Sequence, residues 1–155
     1  MPDTYFADAS VLVKRHVNEI GSYWFSNLAD SQTGNTIIIS RLSLIEVISA
    51  FNRRCRELSL SKSDYQKISQ DFESFCFKEY QIVEITQDIT EKAKELLEKY
   101  LLRSGDAIQL ASALLANEIL MQANFSELTF LASDQRLLDA ANAEKLQSDN
   151  PQFYP

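Results

Sequence analysis

The sequence predicts an α/β fold: a parallel central sheet of four to five strands with helices on both faces. Three observations predict it. Short apolar runs at 4–7, 36–40, 81–85 and 129–132 alternate with stretches of helical periodicity, and such alternation marks a parallel sheet whose crossovers are helices. The run from Asp106 to Met121 is apolar on nearly every side (Ile108, Leu110, Ala111, Leu114, Leu115, Ile119), which describes a helix buried against other elements. With only 3 Gly and 3 Pro in 155 residues, low complexity and long flexible linkers are excluded, so the expectation is one compact domain over 1–155.

Each element has its own justification. Thr4 to Ala7 is a short strand, followed by helical signal from Ser10 to Val17 and from Ser22 to Ala29. Ile37-Ile38-Ile39 is a β-branched run, hence a buried strand. Apolar residues then recur at Leu44, Val47, Ile48, Phe51, Cys55 and Leu58, the spacing of a helix with one core-facing stripe. Ser61 and Asp64 resemble a capping box with Asp in place of Glu, opening a helix that runs to about Phe77. That helix pair, between the second and third strands, is long enough to project as a clip. Gln81 to Ile85 is the third strand. Thr90 to Leu102 is a charged amphipathic helix, and Ser104-Gly105 interrupts the pattern before the apolar helix at 106–121. Thr129 to Ala132 is the fourth strand and Asp134 to Glu144 the last helix; a weak strand signal lies near Leu146.

Composition narrows the function. No apolar run is long enough to span a bilayer, and the N-terminus lacks the basic-then-apolar pattern of a secretory signal, so a cytoplasmic protein is expected. Cys55 and Cys76 form no disulfide framework and have no metal-type neighbours; they read as reduced, partly buried thiols. His16 is the single histidine. No nucleophile stands beside it, so a Ser-His-Asp mechanism is not indicated, and it reads as an ordinary helix residue. A net charge of −7 argues against coating nucleic acid over a broad surface. Local phosphate binding stays open, because Lys14 and Arg15 follow Asp8 closely and Arg53, Arg54 and Arg56 cluster on the helix that carries Glu46. Solvated helix faces explain each cluster equally well.

The acids carry the chemistry. Asp8, Asp106 and Asp134 each stand where a short strand gives way to a helix or where a buried helix begins, and Glu46 lies on the helix after the second strand. In open α/β sheets functional groups collect outside the carboxyl ends of the strands. Each acid also has an ordinary structural role. Asp8 suits an N-cap, as does Asp134 with Ser133 in competition. Asp106 suits a first helical turn. Glu46 points away from the Leu44/Val47/Ile48 stripe and suits a surface ion pair. Together, however, four carboxylates brought close repel one another and demand a compensating cation. Mg²⁺ or Mn²⁺ is the hard ion such an oxygen set suits, and hydrolysis of a phosphodiester is the matching reaction.

Four segments, YFADASVLVKRH, SRLSLIEVISAF, LRSGDAIQLASALL and TFLASDQRLLDAA, together resemble PIN-domain ribonucleases, specifically the VapC-type toxins of toxin–antitoxin pairs. Their order and spacing match that family across essentially the whole chain. The resemblance implies a PIN-like fold, with Asp8, Glu46, Asp106 and Asp134 as the catalytic and metal-holding acids. Asp8, Asp106 and Asp134 would form the primary site, with Glu46 serving a second ion or acting through water. Ser10 and Ser133 fall on supporting hydroxyl positions. It further implies Mg²⁺- or Mn²⁺-dependent endoribonuclease activity, often on tRNA or ribosomal RNA, homodimerisation, and inhibition by a cognate antitoxin lying across the toxin groove. Lys14, Arg15, Arg41 and Arg53 are the candidate RNA contacts.

Two other readings compete. A phosphoacceptor receiver domain would need an acid pair beside the first strand and a lysine ending a late strand; the chain has Ala7-Asp8-Ala9 and Ser133-Asp134 there. A non-catalytic PIN-like module binding RNA or protein would not require all four acids. One further feature concerns partners. Tyr23, Trp24 and Phe25 are adjacent on a short helix, and successive helical residues diverge by about 100°, so at least one ring is expected outside the core. A groove between that helix and the clip would take an amphipathic antitoxin helix.

Overall fold

The computed structural model describes residues 2–155. Five strands form the sheet: β1 (Thr4–Ala7), β2 (Thr36–Ser40), β3 (Tyr80–Val83), β4 (Thr129–Leu131) and β5 (Gln147–Asp149). All neighbouring pairs are parallel, in the order β3-β2-β1-β4-β5. Seven α-helices connect or follow them: α1 (Ala9–Leu12), α2 (Ser22–Leu28), α3 (Ser43–Arg56), α4 (Lys62–Lys78), α5 (Gln87–Lys99), α6 (Ser104–Gln122) and α7 (Gln135–Ala143). The expected α/β class, strand number and parallel pairing therefore hold. The weak signal near Leu146 is a true edge strand.

Strand alternation divides the apolar residues between two cores. Phe6 lies between Ile38 and Phe130 in the register; these three face α5, α6 and α7, packing with Leu96, Leu110, Ala111 and Leu137. Their neighbours Ala7, Ile37, Ile39 and Leu131 face the other way, onto Val11, Phe25, Val47, Phe51 and Phe72. The Phe6 and Phe130 rings stack at 5.8 Å. Burying each such ring stabilises the fold by about 1.5–3 kcal/mol.

The order of connections makes the crevice. From β1 the chain runs outward through β2 to β3, and α5 and α6 then carry it back to β4 on the opposite side of β1. Connections leave β1 and β4 in opposite directions, so their carboxyl ends form a topological switch point, where ligands of open α/β sheets bind. The backbone N–H of Asp8 donates to the Leu131 carbonyl at 3.1 Å, tying those two ends together.

Several boundaries differ from the expectation, each for a local reason. The first helix is short: α1 ends at Leu12 and passes into a 3₁₀ turn, Val13–Arg15, instead of running to Val17. α5 begins three residues before Thr90 because the Thr86 hydroxyl accepts from the Ile89 N–H at 3.3 Å, and it stops before Leu102 because Tyr100 is extended (φ −129°, ψ 150°). Ser104-Gly105 does not interrupt a helix; it opens α6 after an extended Arg103. The carboxyl end of α6 is not buried all round, since Ile119 and Met121 are exposed. Ser61 caps α4 as expected, accepting from the Asp64 N–H at 3.0 Å. The α3–α4 pair does project: Phe51, Phe72 and Cys76 root it in the core, while Leu58 at its tip is exposed.

His16 is not an ordinary helix residue. Its ring is enclosed by Phe51, Phe72 and Phe75, with centroids 5.6–5.9 Å away, and its Nε2 is buried without a partner. Burial, reinforced by the Arg15 charge, pushes its pKa down to about 4. The three adjacent aromatics separate as geometry requires: Phe25 is fully buried, Tyr23 is 81% exposed, and Trp24 stacks at 4.3 Å on Tyr154 from the carboxyl-terminal segment. That segment presses on Gly21, whose φ is +89° and where a Cβ would stand 2.5 Å from the Pro151 carbonyl oxygen. Among the described residues no helix is long and apolar enough to cross a membrane.

Gly21→Ala is therefore expected to cost about 1–3 kcal/mol in backbone strain alone and to displace Pro151. Loss of the ring stack should change the emission of Trp24, the single tryptophan. Unaltered fluorescence and melting temperature in the variant would refute this coupling.

Candidate active site

Asp8 enters the site from the end of β1. It is extended (φ −77°, ψ 173°) and N-caps α1, its Oδ1 accepting from the Ser10 hydroxyl at 2.6 Å and the Val11 N–H at 3.3 Å. Ser10 Oγ in turn accepts from the Ser133 N–H at 3.3 Å, so the turns after β1 and β4 are joined through one hydroxyl. The Ser133 hydroxyl itself is buried without a partner. Asp8 is only 6% exposed. Burial raises its pKa to about 7 against the opposing bonds from Ser10 and Val11, and the charges of Asp106 and Glu46 raise it further.

Glu46 lies in the first turn of α3 and leans onto α6. Its Oε1 accepts from Gln109 Nε2 at 2.7 Å, and the same amide nitrogen donates to Ser43 Oγ at 2.9 Å. Gly105 makes the approach possible, since a Cβ there would meet Glu46 Oε2 at 3.1 Å. A surface ion pair, the bland expectation for Glu46, is not what forms. Burial raises its pKa, the Gln109 bond lowers it, Asp106 raises it and Arg103 lowers it.

Asp106 sits one helical turn before Gln109 on the same face of α6. Its carboxyl is also raised, by burial first; Arg103 and Arg136 lower it and Asp134 raises it. Asp134 N-caps α7, with Oδ1 accepting from the N–H groups of Arg136 (2.8 Å) and Leu137 (3.2 Å), so Ser133 does not take the cap. For Asp8 and Asp134 the capping role and a place in the crevice coexist.

Two depressions share Asp106 as a wall. The larger, about 660 Å³, holds Asp8, Ser10, Glu46, Asp106 and Gln109, with Arg53 on its rim. The smaller, about 320 Å³, holds Asp106 and Asp134 with Leu101, Leu102, Arg103 and Arg136. Three expected acids thus line one cleft and the fourth lies across Asp106 from them. Among the described residues no three acidic, histidine or cysteine side chains are already gathered in the geometry of a bound ion. The donor set nevertheless suits a hard cation. It is all oxygen; the charges of Asp106 and Glu46 raise the proton affinity of Asp8, Asp106 raises that of Glu46 and Asp134 that of Asp106, a repulsion that a divalent ion would reverse.

The basic residues are sorted differently from the expectation. Lys14 is 3% exposed, its ammonium donating to Glu19 Oε1 (3.0 Å) and the Ile20 carbonyl (2.8 Å); it braces the turn and offers no surface charge. Arg15 is also engaged, donating to Glu79 at 2.9 Å and Tyr80 at 3.1 Å and lying 4.0 Å over the Phe75 ring. Arg41 is exposed but bound to Glu84 and lines neither depression. Only Arg53 of the four stands at the site. Sequence reasoning missed Arg103, Arg136 and Gln109, which lie three before, two after and three after an expected acid. The i, i+3 relation of Gln109 to Asp106 was the available signal.

The PIN domain profile matches residues 5–142. Ribonuclease VapC45 of Mycobacterium tuberculosis (strain CDC 1551 / Oshkosh) is 36% identical over 114 residues, 74% of this chain and 76% of that protein. Among solved structures, VapBC2 from Rickettsia felis, bound to a DNA fragment from its promoter, superposes with a TM-score of 0.62 at 18% identity, covering 95% of this chain and 98% of that one. Mycobacterium tuberculosis VapC20, described as a sarcin–ricin loop cleaving toxin, does so at 0.61 and 16%, covering 88% and 94%. The chain belongs to the PIN domain family, and its relatives in sequence include VapC ribonucleases.

Buried Asp8 makes stability depend on pH. Its folded pKa of about 7 stands above its ordinary 3.8, so its favourable contribution is complete below pH 4 and is lost as pH rises through 7. Asp8→Asn keeps an acceptor for Ser10 and Val11 without the charge. Without divalent ions it should be more stable than the parent at pH 8, by up to about 4 kcal/mol at 1.4 kcal/mol per tenfold in proton affinity, and equal at pH 4. The opposite pull of His16 cancels in this difference. Melting curves of both proteins from pH 4 to 8 test it; a gap that does not vary with pH would count against a buried charge.

Proposed function

We propose that this chain is a VapC-type endoribonuclease that hydrolyses RNA phosphodiester bonds with a divalent cation, Mg²⁺ or Mn²⁺, at Asp8, Glu46, Asp106 and Asp134. The observation that carries this reading is the placing of Asp8, Glu46 and Asp106 in one cleft at the β1/β4 switch point. Membership of the PIN family and the ribonuclease relatives support it.

The chain's own residues have definable tasks. Asp8, Asp106 and Asp134 would hold the cation as the primary set, with Glu46 serving a second ion or acting through water. A cation held there supplies charge to a phosphate oxygen and lowers the pKa of water. Ser10 fixes the Asp8 carboxylate, and Gln109 fixes Glu46 against α6. Arg53, on the rim of the same cleft, takes a substrate phosphate. Hydrolysis joins a water oxygen to phosphorus and breaks the bond to the ribose oxygen of the neighbouring nucleotide; the proton that water gives up passes to solvent or a carboxylate of the cleft, and a proton from the same source converts the leaving ribose oxygen to a hydroxyl.

Partners follow from the same reading. The substrate is RNA, with structured RNAs such as tRNA or ribosomal RNA as the class to examine first, and the protein acts as a homodimer in the cytoplasm. A cognate antitoxin restrains it by laying an amphipathic helix between α2 and the α3–α4 clip, where exposed Tyr23 borders one depression and Leu60, Ile68 and Phe75 line the next. An antitoxin arginine reaching the carboxylates would compete with the cation.

Purified protein should cleave RNA with Mg²⁺ or Mn²⁺ and stop when the ion is chelated. Asp8→Asn should lose more than the ~10–100-fold that removal of a supporting partner typically costs, while Gln109→Leu, acting through Glu46, should fall within that range. Cleavage by Asp8→Asn at the parent rate would overturn the assignment. For partners, co-expression with the product of the adjacent small gene should give a co-purifying complex in which cleavage is suppressed. A neighbour that neither binds nor inhibits would leave a nuclease without the toxin role, and light scattering reads the dimer.

A further inference from the structure

The arginines of this chain are distributed unevenly between internal partners and the site. Arg15, Arg41 and Arg54 are each taken up by a glutamate: Glu79, Glu84 and Glu19. Arg53, Arg56 and Arg136 have no ion pair among the described residues, Arg56 lying away from both depressions, and Arg103 approaches only Asp106, at 3.8 Å, with its side chain 87% exposed. Arg103 and Arg136 both line the smaller depression; Arg103, like Asp106, also borders the larger one that holds Asp8 and Glu46, while Arg136 belongs to the smaller alone.

Resting on the ribonuclease reading, we propose that this smaller depression is a nucleotide subsite. Arg103 and Arg136 take the phosphate of the nucleotide adjoining the cleaved bond, and Leu101 supports its base.

Four features converge on this assignment. The volume, about 320 Å³, suits a single small-molecule-sized unit rather than a duplex. Two guanidiniums on one wall match a phosphate by paired N–H donors, which lysines do less well. The amino end of α6 opens on it without a side-chain cap from the residue before it, whereas that of α7 is already taken by the Asp134 carboxylate, so it is the α6 end that is open to an anion. Leu101 at the lip is 81% exposed beside half-buried Leu102. An exposed leucine next to an arginine plane is a surface on which an unstacked base can lie, as single-stranded RNA recognition requires.

Asp106 gives the arrangement its logic. It belongs to both depressions, so a strand crossing it lays one phosphate in the larger cleft near Arg53 and the next against Arg103 and Arg136. Without those guanidiniums Asp106 and Asp134 would repel that second phosphate. The protein is acidic overall, with net charge −7, so cations left unpaired beside the carboxylates are where a polyanion can be held.

The experiment uses Arg136→Ala and Leu101→Ala, both exposed positions whose folding is checked by melting. The probe is a single-stranded RNA oligonucleotide that the parent protein cuts at one mapped bond, shortened stepwise from either end. Removing the nucleotide on one side of that bond should raise KM of the parent roughly tenfold, the scale of one charged hydrogen-bond contact. Each variant should raise KM of the full oligonucleotide similarly, with kcat within about twofold, and be indifferent to that truncation. Binding of a labelled oligonucleotide should also lose about 0.7 in the slope of log affinity against log salt for Arg136→Ala, as expected for one lost phosphate on a single strand. Variants whose KM and salt slope match the parent, or which remain as sensitive to truncation as the parent, would overturn the subsite. If the parent cuts no RNA at all, the ribonuclease reading fails first. The binding arm then decides alone: an unchanged salt slope in Arg136→Ala overturns the subsite, and a reduced one retains it as an RNA-binding site.

Discussion

The structure depends on β1, four residues paired on both edges and covered on both faces. Phe6 and Ala7 are fully buried, one in each core. Because β2 lies on one side and β4 on the other, the strand cannot shift register without moving one core's ring into the other core's space. Asp8, the next residue, inherits that rigidity. Its backbone N–H continues the ladder to the Leu131 carbonyl, and its carboxylate points into the crevice opened by the diverging connections of β1 and β4.

A carboxylate placed there is costly, and its surroundings set how costly. Asp8 is buried, yet accepts two hydrogen bonds that partly offset desolvation. Glu46 is half-buried and steadied by Gln109, while Asp106 is moderated by two arginines. The remaining repulsion is what a hard cation would relieve. Strain of this kind at a site is the expected counterpart of function, because the same residues relocated to the surface would stabilise the fold more. Ser10 and Gln109 each link two elements that carry acids: Ser10 joins the turns after β1 and β4, and Gln109 joins α6 to α3. The geometry of the site is therefore set by helix and strand packing together with the two short turns that follow β1 and β4.

The economy of positive charge follows the same division. Lys14 and Arg15, nearest in sequence to Asp8, serve the packing of the first turn and the Phe75–Tyr80 region. Of the arginines that no glutamate takes up among the described residues, Arg56 stands away from the site, whereas Arg53 borders the larger depression, Arg136 the smaller, and Arg103 both. Proximity along the chain was a poor guide because a 3₁₀ turn after α1 sends the Lys14 ammonium inward, onto Glu19 and the Ile20 carbonyl, while helix starts throw Arg103 and Arg136 outward beside the carboxylates they accompany.

Hydrophobic periodicity and strand-end aspartates are local, readable features, so the fold class, the strands β1 and β2 to the residue, the existence of every helix and four candidate acids were legible without the fold. Even the dispersal of Tyr23, Trp24 and Phe25 followed from helical geometry alone. Tertiary structure decided the rest. It made Ser104-Gly105 a helix start after the extended Arg103, and it set Gly105 beside Glu46 from a helix some sixty residues earlier. It set Trp24 on Tyr154 and enclosed His16 among three phenylalanines, contacts between segments that no periodicity connects. It placed Asp8, Glu46 and Asp106 in one cleft and Asp134 across Asp106 in another, and it chose which cations remain free. Those outcomes depend on the crossing order of the strands and on side-chain directions at helix starts, which are long-range quantities absent from any local window of sequence.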